Sequence, residues 1–414
     1  MRYIGTQARG IRLPIIKEGD NLPEIVAEYI MKAADSEGII IGPRDIVGIT
    51  EAVVAKAQGN YATLDQLAAD IQKKYPAGQL GVVFPILSRN RFFNILKGLT
   101  LGAKEVSLLL SYPADEVGNP IMDISRQDEI MDKLKDLIKD RHTPIPSDVF
   151  REISGHFSHP FTDVDYISLY ESTGAKVYFS TDPRDILTLT PHVLAADIHT
   201  RFITSDRLKK AGAQTTYTLS DILNKPVQSS GYNPDFGILG SNISSENRLK
   251  LFPRDCEKFV LKVQDEIGKR AGVKPEVMVY GDGAFKDPVC GIWELADPVV
   301  SPAFTPGLKG QPHEIKMKMV ADTRLAGMSG VEQEEALKEI IRKKAGASNK
   351  SSKTSDQNSG QTSDQTSDQT SDQEGTTPRQ YTDLLGSLCD LISGSGDKGT
   401  PAVLIQGYFD NYAD

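Results

Sequence analysis

Between a helix-patterned segment, Tyr381 to Ile392, and an apolar run, Ala402-Val-Leu-Ile405, the chain reads Ser393-Gly394-Ser395-Gly396-Asp397-Lys398-Gly399-Thr400. Glycines permit positive φ and close backbone approach, so successive N–H groups can converge on an anion, and Lys398 adds a point charge suited to phosphate. The same residues also make a plain helix-to-strand turn, and their spacing is not that of a Walker loop. A second group, Gly281-Asp282-Gly283-Ala284-Phe285-Lys286-Asp287, follows an apolar strand pattern. Carboxylates there can give Mg²⁺ one or two oxygen ligands while substrate phosphates and water complete the shell, although Asp-Gly is also a common turn. Lys56, in Thr50-Glu-Ala-Val-Val-Ala-Lys-Ala-Gln-Gly59, can reach a phosphate or simply extend to solvent. Ser88-Arg89-Asn90-Arg91 opens a helix after a strand, where N–H groups and two arginines suit an anion. Asp197-Ile198-His199-Thr200-Arg201 ends another strand, with His199 open to proton transfer, substrate binding or a structural hydrogen bond. There is no His-x-x-x-His pair, nucleophile elbow or Cys/His arrangement, which argues against zinc proteases and common hydrolases.

The elements that must position these groups follow from periodicity. An extended start, Gly10 to Ile16, precedes an amphipathic helix at Leu22 to Ala34, a strand at Asp45 to Thr50 and a helix at Thr63 to Lys74. From Gly81 to about Asn224 the pattern alternates: strand Gly81–Ile86, helix Arg91–Leu101, strand Val106–Leu110, then Lys176–Ser180, Ala195–Ile198, helix Ser205–Ala211 and Gln214–Leu219. Alternation at this spacing predicts a doubly wound parallel sheet. No Gly-x-Gly-x-x-Gly follows a strand there, which argues against a dinucleotide-dependent dehydrogenase. The third block carries a helix at Arg254 to Ala271 and a strand at Glu276 to Tyr280. After a charged helix, Val331 to Lys344, residues 345–377 are Ser/Thr/Asp/Gln-rich, with four Thr-Ser-Asp-Gln copies, and bury too little to offset ordering, so a disordered loop is expected.

Composition bounds the partners. With 47 basic and 56 acidic residues in 414, the net charge is −9, which opposes a general nucleic-acid binder because such proteins need a basic face. The cysteines at 256, 290 and 389 are too few and too widely spaced for a disulfide framework or a structural zinc site. No window approaches 18 apolar residues, and the first residues lack a secretion pattern, so a soluble cytoplasmic protein with no membrane partner is expected.

Five motifs in order resemble the coenzyme F-420-0:L-glutamate ligase (γ-glutamyl ligase) family: Leu13-Pro-Ile-Ile-Lys-Glu-Gly-Asp20, Thr50 to Gly59, Gly240-Ser-Asn-Ile-Ser-Ser245, Val277-Met-Val-Tyr-Gly-Asp282, and Thr382 to Gly394 followed by Gly399-Thr-Pro-Ala-Val403. The resemblance implies a mixed α/β protein with a discontinuous ligase core at 1–80 and 235–414, and a Rossmann-like insertion at 81–234. It implies a GTP- or ATP-dependent enzyme with Mg²⁺ or Mn²⁺ that joins L-glutamate to a carboxylate-bearing coenzyme precursor, of deazaflavin or pterin/folate type, through an acyl phosphate. A homodimer is the family tendency. By the same resemblance, Leu13, Pro14, Ile15, Ile16, Lys56, Ser245 and the loop from Ser393 to Thr400 would hold nucleotide. Lys56 and Asp282 would be catalytic, Asp282 and Asn242 would hold metal, and, apart from the resemblance, Asp287 or Asp255 would make up the charge that Asn242 lacks. Arg89, Arg91, His199 and Arg201 would face substrate from the insertion. Asn242 and Gly283 depart from the family pattern, which shows Asp and Thr there; Asn keeps an oxygen ligand but removes a negative charge. A non-catalytic nucleotide- or coenzyme-binding protein of the same fold is the rival expectation.

Overall fold

The computed structural model describes residues 3–137, 143–160, 162–281, 285–286, 293–294, 300–312, 314–351, 379–394 and 397–413. The first elements are β1 (Gln7–Ile11), α1 (Leu22–Glu37), β2 (Ile46–Thr50), α2 (Glu51–Ala57), β3 (Tyr61–Thr63) and α3 (Leu64–Lys74). Then come β4 (Gln79–Val83), α4 (Phe92–Gly102), β5 (Glu105–Leu110), α5 (Gln127–Leu137), β6 (Ile145–Pro146), α6 (Ser147–Ser154), α7 (Tyr166–Glu171), β7 (Lys176–Phe179), β8 (His192–Ala195), α8 (Arg201–Lys210) and β9 (Thr215–Thr218). The remainder is β10 (Asn242–Ser245), β11 (Arg248–Lys250), α9 (Cys256–Ala271), β12 (Glu276–Tyr280), a ribbon of β13 (Phe285–Lys286) and β14 (Trp293–Glu294), β15 (Ala303–Phe304), α10 (Met317–Thr323), α11 (Gly330–Ser351), α12 (Tyr381–Ile392) and β16 (Ala402–Gln406).

Two sheets organise the molecule, and the protein is of mixed α/β class. A five-stranded sheet runs β1-β16-β2-β12-β15, with β2 and β12 parallel and the other neighbours antiparallel. One of its faces is covered by α1 and α9. In α1 the buried Leu22, Val26, Ala27, Ile30 and Ala34 form a single stripe, and Gly38 ends the helix at φ 64°. In α9, Phe259, Val260, Val263 and Ile267 answer that stripe. The opposite face receives Leu385 and Cys389 of α12. The six-stranded sheet runs β6-β7-β5-β4-β8-β9, parallel except at the β6 edge. Its central strands β5, β4 and β8 are buried on both faces, as a helix-covered parallel sheet requires. A small sheet, β10-β11-β3, adjoins α3, whose Leu67 and Ile71 enter the same apolar cluster as Leu96 and Leu99 of α4.

Several expected bounds shift for local reasons. The first strand is Gln7–Ile11, because Pro14 has no N–H to pair and Leu13–Ile16 crosses the sheet end instead. β4 stops before Phe84, which takes φ 53° ahead of Pro85. The expected strand Ala195–Ile198 lies mostly past the true one: β8 is His192–Ala195, and Asp197 and Ile198 belong to the turn into α8. That helix starts at Arg201, not Ser205. α11 continues to Ser351, into the tract read as low-complexity from Ala345. Among the described residues, no helix is long and apolar enough to cross a membrane.

Candidate functional site

The five-stranded sheet gathers several of the motifs at one end. β2 and β12 are in register with Thr50 beside Tyr280, so both parallel strands finish there together. β16 is antiparallel to β2, which brings the loop before it to the same end. Backbone bonds fix this meeting: Leu13 N–H donates to the Gly399 carbonyl at 3.2 Å, Thr50 N–H to that of Pro401 at 3.0 Å, and Thr400 N–H to that of Gly394 at 3.1 Å. Gly394 is required by close approach, since a Cβ there would lie 2.8 Å from Cβ of Lys398. Pro14 and Ile15 are exposed, whereas Ile16 is buried among the side chains under α1 and anchors the segment. In the loop Asp397 and Lys398 are exposed, and the buried Thr400 hydroxyl has no hydrogen-bond partner among the described residues. Ser393 neighbours the Tyr280 hydroxyl, whose pKa is raised above the ordinary phenol value chiefly by burial.

Two residues at this end carry charge that sequence reasoning passed over. Glu51, the first residue after β2, is buried, and Lys250 of β11 reaches it with Nζ 2.5 Å from Oε1. Lys250 is the cross-strand partner of Asn242, so the small sheet delivers an ammonium and a carboxamide to the rim of the larger one. The signal for Lys250 lay in the alternation Arg248-Leu249-Lys250, in which only Leu249 is buried. Nothing local marked Glu51 as its partner, because the pair is 199 residues apart in sequence.

Of the other expected residues, Asn242 is half-buried and its Oδ1 accepts from the Ile243 N–H at 2.9 Å, while Ser245 is exposed in the same hairpin. Lys56 is exposed on the last turn of α2, five residues beyond Glu51, and is not drawn into the converging backbone. Asp282, Asp287, Ser395 and Gly396 lie outside the described residues. Among the described residues, no group of three or more His, Cys, Asp or Glu is arranged to hold a metal ion. Cys256 and Cys389 are buried thiols, the former pushed up to about 12 by burial, so neither is poised as a nucleophile.

Arg89, Arg91, His199 and Arg201 collect elsewhere, at the carboxyl ends of the neighbouring strands β4 and β8. Arg201 is half-buried; its Nε donates to the Ser220 hydroxyl at 3.1 Å and its Nη1 donates to the Ile198 carbonyl. Burial lowers its pKa. The loop carrying the first two arginines touches β10: Ile243 N–H donates to the Asn90 carbonyl at 3.0 Å, and Arg91 Nη1 to that of Gly240 at 3.4 Å. This second cluster therefore borders the strand that carries Asn242.

No curated protein matches the chain. A family model described as F420-0:gamma-glutamyl ligase matches residues 10–407, running through both sheets and the small one between them. The chain belongs to the F420-0:gamma-glutamyl ligase family.

Proposed function

We propose that this protein is a nucleotide-dependent ligase that forms an amide between the amine of L-glutamate and an acceptor carboxylate. A free carboxylate is a poor acyl donor because oxide does not leave. Transfer of the γ-phosphoryl group of GTP or ATP to a carboxylate oxygen breaks the bond to the β-phosphate and releases the nucleoside diphosphate. The glutamate amine then attacks the acyl carbon, inorganic phosphate departs, and the nitrogen loses a proton. Such a sequence needs a phosphate cradle, compensation of transferring charge and exclusion of water.

The observation that carries this reading is the family match over residues 10–407. The meeting of Leu13–Ile16 with the loop ending at Thr400, where β2 and β12 finish, supports it as a cradle. In this reading the amides of that loop, Lys398 and the Thr400 hydroxyl bind phosphate oxygens. Lys56 reaches in from α2 on a flexible side chain, and Lys250 offers fixed positive charge beside the acceptor carboxylate. Asn242 and the acid Asp282, with Asp287, would hold Mg²⁺ or Mn²⁺, which when bound offsets phosphate charge. The Thr400 oxygen, unpaired among the described residues, and the Asn242 carboxamide are hard oxygen donors of the kind such a nucleotide–cation complex takes.

The test is phosphate release from GTP and ATP with Mg²⁺ or Mn²⁺, L-glutamate and a panel of acceptors: the deazaflavin precursor, dihydropteroate and dihydrofolate. Mass spectrometry should find one acceptor heavier by one glutamyl unit. Asn242, a carboxamide where the family pattern has a carboxylate, favours a second reading, a nucleotide- or coenzyme-binding protein without turnover. Nucleotide binding with no glutamate-dependent phosphate release across the panel would select it.

A further inference from the structure

The six-stranded sheet has a topological switch point that nucleotide binding leaves unused. Its chain path runs from β4 outward to β5 and β7, then returns to β8 on the other side of β4. The connections that leave β4 and β8 therefore part in opposite directions, and in open α/β sheets ligands bind in the gap so formed at the carboxyl ends of the strands. The segments that leave this end carry Arg89 and Arg91 after β4 and His199 and Arg201 after β8.

Glu116, from the segment after β5, reaches over to the start of α8. Its carboxylate accepts from the backbone N–H groups of Ile198 and His199, the latter at 3.1 Å, and from the Thr200 hydroxyl at 3.5 Å. The side chain is exposed, so it is not held there by packing. It occupies the place in which those amides would hold the oxygens of an anionic ligand. Beneath it Asp197, 1% exposed, accepts from the Thr200 and Thr204 hydroxyls through Oδ2, at 2.6 and 2.8 Å. Among the described residues its buried Oδ1 has no hydrogen-bond partner. Phe202 and Ile203 stand exposed beside Arg201 and offer an apolar border. A dinucleotide does not fit the pattern, because the turn after β4 has no glycine and its Ile86 and Leu87 are buried.

We propose that the crevice between β4 and β8 binds the anionic, hydroxyl-bearing end of the acceptor. The Ile198 and His199 amides, Arg89 and Arg201 take its phosphate or carboxylate in place of Glu116, and Asp197 accepts from its hydroxyl. Identification of the ligand as the acceptor rests on the ligase reading and on the contact of this rim with β10, through Asn90 and Ile243. The presence of the site does not.

The experiment is calorimetric titration of the full-length protein, without nucleotide or glutamate, using glycerol 3-phosphate and glycerate as hydroxylated phosphate and carboxylate probes. One of the two is expected to bind, which distinguishes the two anion types. Arg89→Ala, at an exposed position, should weaken it by about tenfold, as loss of a charge-assisted bond does. Glu116→Gln should tighten it by removing the competing anion, and Lys398→Ala in the loop before β16 should leave it unchanged. Absence of binding to both wild type and Glu116→Gln at roughly 10 mM, a range that still registers weak complexes, overturns the proposal. Binding that ignores Arg89 and Glu116 but is lost with Lys398→Ala also overturns it, since the probe would then sit in the other site. Probe binding together with a failed ligase assay would keep the crevice and discard only the identity of its ligand.

Discussion

Glu51 is buried and Lys250 half-buried, their side chains 9% and 14% exposed, so neither charge is well hydrated. Removing one partner of such a pair leaves an uncompensated charge, typically at a cost of 3–5 kcal/mol, whereas removing both can be nearly neutral. Lys250→Met should therefore lower unfolding stability by about 3 kcal/mol, and adding Glu51→Gln should recover much of it. Chemical denaturation of the three variants checks this, and equal midpoints for wild type and Lys250→Met would show a solvated pair. Asp115 gives a pH-dependent counterpart. Burial raises its pKa to about 6, against the lowering effect of hydrogen bonds from the N–H groups of Leu87, Val117 and Asn119 and from the Asn119 side chain. A carboxyl raised on folding favours the folded state below its unfolded pKa, and that contribution fades as pH rises through about 6. The rise of this carboxyl to about 6 corresponds to roughly 3 kcal/mol. Between pH 4 and pH 7, wild type should lose stability relative to Asp115→Asn, read as diverging urea midpoints; parallel profiles would refute it. Asp282→Asn should abolish metal-dependent turnover with an unchanged melting temperature, and retained activity would remove Asp282 from the proposed metal set.

At the scale of elements, α3 and α4 are the join between the small sheet and the six-stranded one. They approach closely because α4 carries glycine at 98 and 102 where it crosses α3. A Cβ at Gly102 would stand 2.7 Å from the Ala68 carbonyl oxygen and 2.8 Å from Cβ of Ile71, and the backbone cannot yield as a side-chain tip can. Gly102→Ala gains helix propensity but should still cost about 1–3 kcal/mol through overpacking. A thermal melt no lower than wild type would mean that the helices separate freely. The strand and helix bounds most legible in the sequence are those with strong periodicity and clear stops. Glu276–Tyr280 and Tyr381–Ile392 are found where the pattern put them. Less legible are β3, β10 and β11, which are short, mostly polar and made stable by one another. The edge strand β6 has two residues and no periodicity to read.

For the molecule as a whole, parallel-sheet alternation was readable because the central strands β4, β5 and β8 are buried on both faces and α4 carries a helical period, whereas α8 and the edge strand β9 have little pattern to read. The candidate site was readable in part, since Leu13–Ile16 and the Gly399–Thr400 end of the glycine loop meet as separate motifs. Its charged pair was hidden because Glu51 and Lys250 are joined by tertiary folding alone. Strand order also has a consequence for how the chain is made. β16 lies between β1 and β2, so the strand completing the central sheet is the last one synthesised. From Ile11 to Ala402 the ribosome adds 402 − 11 = 391 residues, which takes roughly 20–80 s at 5–20 residues per second. The six-stranded sheet, contained within residues 79–218, emerges whole during that interval. For most of its synthesis the newborn polypeptide thus pairs a finished parallel layer with an amino-terminal edge still waiting for its partner. A chain cut short just before Ala402 would spare the first and leave β1 and β2 without the strand that joins them.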